Sequence, residues 1–280
     1  MSLLKKIRYH FSCLDHGAFF RNFCYFSRLP QNLVFFKRRA YFPEACLCDA
    51  GGVTLKQVYF KNRPVGLWDY FFLITMDMDR FHLDIPVSDR PLNTREWVAR
   101  TGPMIMVNGG FFDHDYRPVG VAGGGGVLAG ERESRLRGIL LLKNQSITID
   151  WAKNRTGEDL GEYDAVLQSG PLIIEPGGGR GILCDDRKRD SRTVVGIDAE
   201  GKLVFAVFPN RSVSLFEVME ILIPYNLKAC MNLDGGTSVS LYFSNNGTLL
   251  YLPSIKKIPD VIAISMKKET CGNACLRSKE

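Results

Sequence analysis

No run of about 18 apolar residues occurs in the 280 residues, so no membrane-spanning helix is expected. A disulfide framework is missing too. The eight cysteines (Cys13, Cys24, Cys46, Cys48, Cys184, Cys230, Cys271 and Cys275) show no framework spacing, and a chain this long can be stable without cross-links. Cys46-x-Cys48 and Cys271-x-x-x-Cys275 could together offer four zinc ligands. One intervening residue is short for a metal-ligand pair, so free thiols are the expectation. Net charge is absent from most of the chain. Residues 1–45 hold eight Lys/Arg against two Asp/Glu, which leaves 28 basic and 28 acidic residues in the remainder. The whole +6 therefore sits in the first segment, and nucleic-acid binding by the main domain has no electrostatic footing. A clean apolar stretch after the cations of "MSLLKKIRYHF" is also lacking, so export by a signal peptide is not expected.

What is present begins with an ordinary globular composition, 45% hydrophobic and 24% charged, enough to bury a real core. Three regions are expected: a basic aromatic extension over residues 1–45, a main domain over 46–268, and a tail over 269–280. The extension carries Tyr9, Phe11, Phe19, Phe20, Phe23, Tyr25 and further rings among its cations. That mixture suits peripheral contact with a membrane surface; packing of the rings on the domain is the plainer alternative. Placement in the cytoplasm or at a membrane surface is slightly favoured from these first residues.

The main domain reads as strands separated by glycine turns. "LKQVYF", "YFFLITMDM", "RFHLDIPV", "MIMV", "CMNL", "SVSLYF" and "DVIAIS" are strand-like, and "RGILLLK" with "SITID" reads as a hairpin. "RTVVGIDAEGKLVFAVF" forms a second hairpin around Ala199-Glu200-Gly201. "DAVLQSGPLIIE" reads as strand, turn and strand. Helices are expected at "TREWVAR", with Asn93 and Glu96 at capping spacing, and at "SLFEVMEILIPY", with Ser214 as N-cap. "PVGVAGGGGVLAG" is expected to lack structure, because four successive glycines are costly to order. The sum is an α+β architecture: a mixed multi-stranded sheet, a few flanking helices and long glycine-rich loops.

Two stretches raise a shared question. "NLDGGTS" and "VNGGFF" both look like hairpin turns between apolar runs. The first, however, crowds Asn232, Asp234, Thr237 and Ser238 around Gly235 and Gly236, whose amides would form an anion-receptive nest. The second sets Phe111 and Phe112 beside bare backbone at Gly109 and Gly110, a surface suited to a sugar ring. "RDSRTVVGI" adds Arg192 at a loop end, where a planar guanidinium could take a phosphate. Arg187, Lys188 and Arg189 read as a solvated loop, and His114 between Asp113 and Asp115 reads as a loop histidine.

In order, "NGGFF", Pro118 with Gly120, "SGPLII", "RTVVGID", a helix, "NLDGGTS" and "PDVIAIS" resemble the phosphodiester glycosidase family over roughly residues 53–266. Thr237 stands where that family often has glycine, and Gln168-Ser169 replace a glycine-rich pair. The resemblance implies hydrolysis of a sugar-1-phosphodiester at the C1–O bond, some members acting on N-acetylglucosamine, in an extracytoplasmic setting. It implies Asp234, Arg192 and Asn108 as catalytic residues. Substrate-binding residues would be Gly109, Gly110, Phe111, Phe112, Ser169, Gly170, Asn232, Gly235, Gly236, Thr237 and Ser238. Asp234 would be nucleophile or base, Arg192 would hold the phosphate, and Asn108 would bond a sugar hydroxyl or orient Asp234. No second carboxylate is located by the sequence. No cofactor is firmly implied; Asp234, Asp113 and Asp115 could attract a divalent cation. The rival reading is a carbohydrate- or phosphate-binding module without turnover. In either case the expected partner is a small molecule or glycan bearing a phosphodiester.

Overall fold

A computed structural model describes residues 43–61 and 66–267. The expectations for the basic extension, for Cys13 and Cys24, and for the tail with Cys271 and Cys275 lie outside the described residues, apart from the first strand, which begins at Glu44. That strand, β1 (Glu44–Ala50), pairs with β2 (Val53–Lys61) through Gly51-Gly52, whose φ values of 65° and 85° fit a tight hairpin turn. β3 (Trp68–Met76), β4 (Phe81–Asp84) and β5 (Val87–Leu92) follow. Helix α1 (Thr94–Thr101) has the expected capping box, Asn93 with Glu96, and stops at Gly102 in the left-handed region. β6 (Ile105–Asn108) is buried along its whole length.

The glycine run is not structureless. β7 (Ala122–Gly124) and β8 (Val127–Ala129) form a hairpin, with Gly125 and Gly126 at φ 60° and 82° as its two turn residues. Glycine is costly to order, but the two central positions of such a turn need φ > 0, so this ordering has a use. β9 (Gly138–Lys143) and β10 (Ser146–Trp151) pair as a hairpin. β11 (Ala165–Ser169), β12 (Leu172–Glu175), β13 (Gly179–Arg180), β14 (Asp190–Asp198) and β15 (Leu203–Val213) lead to α2 (Leu215–Leu222), capped by Ser214 and Glu217. β16 (Leu227–Asn232), β17 (Leu241–Asn245), β18 (Thr248–Leu252) and β19 (Ile258–Met266) complete the described chain.

The strands form three sheets. One has the order β1-β2-β3-β15-β14-β16-β12-β13, the second β10-β9-β11-β7-β8, and the third β18-β17-β6-β19-β4 with β5 beside β19. Every pairing among the described residues is antiparallel, which corrects the expected mixed sheet. Parallel neighbours need long crossovers, usually helical, and the two helices of eight residues each provide too few. The domain is thus strand-dominated rather than evenly α+β.

Side-chain alternation explains the layering. Along β15, Leu203, Phe205 and Val207 join a core shared with Leu140 and Leu167 of the second sheet and Val107, Phe243 and Ile262 of the third. Val204, Ala206 and Phe208 point the other way and pack with Val218, Met219 and Leu222 of α2. Both faces of the large sheet are therefore covered, and β15 reads as a continuous apolar run for that reason. Trp97 of α1 closes the third sheet's outer face, donating its indole N–H to the Ile258 carbonyl at 3.0 Å.

This arrangement answers the hairpin question. β16 lies in the large sheet and β17 in the third, so Leu233–Ser240 carries the chain from one sheet to another. β6 and β7 also belong to different sheets, as do β11 and β12 on either side of Gly170-Pro171, a cis peptide bond. Neither glycine bend is a hairpin turn.

Candidate active site

The bends meet where β6 of the third sheet lies beside the end of β16 and the start of β14. Asn108 ends β6 and is 1% exposed. Its Oδ1 accepts from the Thr193 hydroxyl at 2.6 Å and from the Ser240 amide at 3.2 Å. Its Nδ2 donates to the Asp234 carbonyl at 2.7 Å, and the Asp234 amide donates to the Gly109 carbonyl at 3.1 Å. One buried amide therefore ties β14, the first glycine bend and the second together. Both polar atoms of the Asn108 side chain are thus bonded within the fold.

The second bend carries the outward-facing chemistry. The Asp234 carboxylate accepts the Gly235 amide at 2.9 Å and a side-chain hydrogen bond from Ser238. Burial pushes its ionisation above the ordinary carboxylate range, while Ser238, the Gly235 amide and the field of Lys256 pull in the opposite direction. Gly235 is pressed against β14: a Cβ there would lie 2.8 Å from the Ser191 carbonyl oxygen and 3.7 Å from Arg192 Nη1. Gly236 takes φ 60°, and a short 3-10 turn, Gly236–Ser238, follows.

Arg192 is half-buried beside that bend. Its Nη2 donates to the Lys188 carbonyl at 2.7 Å, and its Nε is buried with no partner. No ion pair among the described residues includes it, whereas Arg189 holds Glu217 at 2.8 Å and Arg211 holds Asp190 at 2.8 Å. Desolvation weakens its hold on the proton, the fields of Asp190 and Asp186 act against that, and a guanidinium stays charged regardless. A half-buried guanidinium without an ion-pair partner, beside half-buried glycines, is an arrangement that can receive an oxyanion. Arg189 departs from the solvated-loop expectation because Glu217 anchors it.

Other expected site residues are placed in supporting positions. Ser169 is fully buried and donates to the Asn232 carbonyl at 2.8 Å. Asn232 donates to the Leu233 carbonyl at 2.6 Å and the Gly170 carbonyl at 3.3 Å, leaving a buried Oδ1 unpartnered. Phe111 and Phe112 are half-buried; Phe112 stacks on Tyr116 with centroids 5.5 Å apart and packs on the Trp97 cluster. Thr237 holds the Ile255 and Lys256 amides through its carbonyl. His114 is exposed, 3.6 Å from Asp115. Asp113 accepts the Asp115 and Arg117 amides, and no group of three His, Cys, Asp or Glu among the described residues could hold a metal. The three carboxylates suggested for a cation are thus not gathered, because Asp113 and Asp115 are committed to their own loop. The described cysteines are free: Cys46 and Cys184 exposed, Cys48 and Cys230 buried. Two cavities, of about 510 and 300 Å³, lie elsewhere and are lined by none of Asn108, Arg192 or Asp234.

One residue was missed by the sequence reading. Asp260, near the start of β19, is 1% exposed; its Oδ1 accepts the Gly110 amide at 2.7 Å, and its backbone carbonyl accepts the Gly109 amide at 3.1 Å. A Cβ on Gly109 would overlap the Asp260 carboxyl group, so that glycine makes room for the acid. Burial, then the charge of Asp234, pushes Asp260 up to about 7. The signal for it was a lone acid in the apolar run "IPDVIAIS", where a charge has no business unless something polar faces it.

No curated protein matches this chain. Solved structures share its fold. A hypothetical protein from Synechocystis is 15% identical with a TM-score of 0.62; the match covers 77% of this chain and 62% of that one, so this chain spans less than two thirds of its length. The catalytic domain of zebrafish N-acetylglucosamine-1-phosphodiester alpha-N-acetylglucosaminidase, auto-inhibited by its pro-peptide, is 17% identical with a TM-score of 0.61, over 83% of this chain and 86% of that one. The family model for phosphodiester glycosidases matches residues 101–265, a span that includes both glycine bends, Arg192 and Asp260 and more than half of the sequence, and the chain belongs to that family.

Proposed function

We propose that the protein hydrolyses a sugar-1-phosphodiester, breaking the bond between the anomeric carbon and the phosphate oxygen. Water ends on C1, and the phosphate leaves as a monoester. A phosphate departs as a stabilised anion and needs less protonation than an alcohol, so the site needs a cation for the phosphate and a carboxylate for C1. Arg192, with the Gly236 amide, serves the first need, and Asp234 the second, as nucleophile or as base for the attacking water. Asn108 and Thr193 hold the Asp234 backbone in place. The observation that carries the reading is the unpaired, half-buried Arg192 guanidinium beside the bend that bears Asp234. The name of the zebrafish relative makes N-acetylglucosamine the first sugar to try.

The test is a panel of sugar-1-phosphodiesters, with free sugar and phosphomonoester both measured and chelator added in parallel. Release of sugar with a matching monoester, lost in Asp234→Asn, is the expected result. Asp234 must be ionised to act, and burial raises its ionisation, so activity should rise with pH through a limb above the ordinary carboxylate range. A second reading, a binding module without turnover, draws on Asn108, Ser169 and Asn232 being occupied inside the fold. Saturable binding of a sugar phosphodiester that survives long incubation intact would favour it.

A further inference from the structure

We propose that Asp260 is a positioning residue of this site, holding a proton on its buried carboxyl group so that Asp234 carries the only negative charge of the pair. The inference rests on the function proposed for Asp234 and adds a group which that function does not use.

The geometry has three parts. Asp260 Oδ1 is fixed by the Gly110 amide, while Oδ2 is buried with no hydrogen-bond partner. An ionised carboxylate with one oxygen unpartnered in the interior is far more costly than the neutral acid, whose loss is that of one polar group. The space the carboxyl fills is the space a side chain at residue 109 would take, so backbone and acid fit together without slack. Finally, Gly109 joins the two acids: its amide donates to the Asp260 carbonyl and its carbonyl accepts the Asp234 amide.

Charges around Asp260 are few. From β5 its register partner is Val87, and the charged residues of that strand, Asp89 and Arg90, are exposed. From β6 and the first bend it meets the backbone of Gly109 and Gly110. Asp234, on the second bend, is the charged group whose field reaches it, and that field opposes ionisation. No cation among the described residues balances a second negative charge here. Ionising Asp260 would place that charge next to Asp234, where an anionic phosphodiester must also dock.

Asp260 has a folded-state value raised from 3.8 to about 7, so the folded protein binds this proton more tightly than the unfolded chain. The stability this proton contributes is fully present below pH 3.8 and is lost as pH rises through about 7. Asp260→Asn keeps an acceptor for the Gly110 amide and cannot ionise. Unfolding midpoints of the full chain, wild type and Asp260→Asn, are measured from pH 3.5 to 8.5 in one buffer system. The wild type should lose stability relative to the variant across that window; a constant difference would overturn the proposal. In turnover, Asp260→Asn should keep kcat within about threefold, as expected for loss of a group outside the proton transfer. The variant should also lose the alkaline limb near pH 7. A folded variant that has lost about a hundredfold in kcat, or that retains the limb, overturns the positioning role. The stability difference needs no substrate. Its presence in a protein inactive on every sugar phosphodiester would reject the proposed function while leaving Asp260 as the protonated partner.

Discussion

The two glycine bends share a sequence grammar, an apolar strand followed by Asn or Asp and two glycines, yet they do opposite work. At the first bend the glycines face inward. Gly109 leaves room for Asp260, Gly110 gives its amide to the same carboxyl, and Asn108 is buried with its amide bonded across two sheets. At the second bend the glycines are half-buried and lie against β14: Gly235 packs on the Ser191 carbonyl beside Arg192, and Gly236 turns through φ 60° next to the Asp190 carboxylate. The same dipeptide thus serves as a socket for an acid in one place and as close packing against β14 in the other. What distinguishes them is the neighbouring strand: β19 brings an acid beneath the first bend, and β14 brings a cation beside the second.

That contrast can be broken experimentally, the largest effect first. Asp234→Asn should reduce turnover by about 10²–10⁴-fold with an unchanged unfolding midpoint, since it removes the ionisable group and keeps the volume. Full turnover in that variant would detach the second bend from the chemistry. Arg192→Lys replaces a planar fork by a point charge, and KM for the phosphodiester should rise about tenfold to hundredfold while kcat changes less. An equal loss in both constants would instead place Arg192 in the transition state alone.

Smaller effects test the inward-facing bend. Gly109→Ala forces a methyl group into the Asp260 carboxyl and should cost about 1–3 kcal/mol of stability, read as a lower midpoint in urea. Gly236→Ala should cost about 1–2 kcal/mol through the left-handed backbone, and its methyl group would also crowd the Asp190 carboxylate at 3.0 Å. If the two variants lose the same stability and the same turnover, the division into socket and close packing is wrong. The smallest effect is expected for Thr193→Val, which removes the 2.6 Å hydrogen bond to Asn108 and should cost about 1 kcal/mol. Its turnover loss should exceed its stability loss if Asn108 holds Asp234 in place.

Much of the fold was legible in the chain. The Asn93–Glu96 capping box, the Ser214 N-cap, the β9–β10 and β14–β15 hairpins, and the buried run before Asn108 follow from local chemistry and are found where expected. The strand directions were not legible, because apolar patterning marks a strand and says nothing of which neighbour it meets. The glycine run 123–126 is ordered despite its entropic cost, because the β7–β8 hairpin needs two residues at positive φ in its turn. Among candidate site residues, Asp234 and Arg192 stood out as polar groups at bends. Asp260 did not, since its partners are backbone groups 150 residues away.

The sequence by itself determined the strands, the two capped helices and the order of motifs that marks the family, because each depends on residues within a few positions of one another. Only the tertiary structure decided that both glycine bends cross between sheets, that Asn108 is committed to the interior, and that a second acid lies beneath the first bend. Those features arise where β6, β14, β16 and β19 come together, and burial at that junction depends on strand pairing that no local pattern encodes.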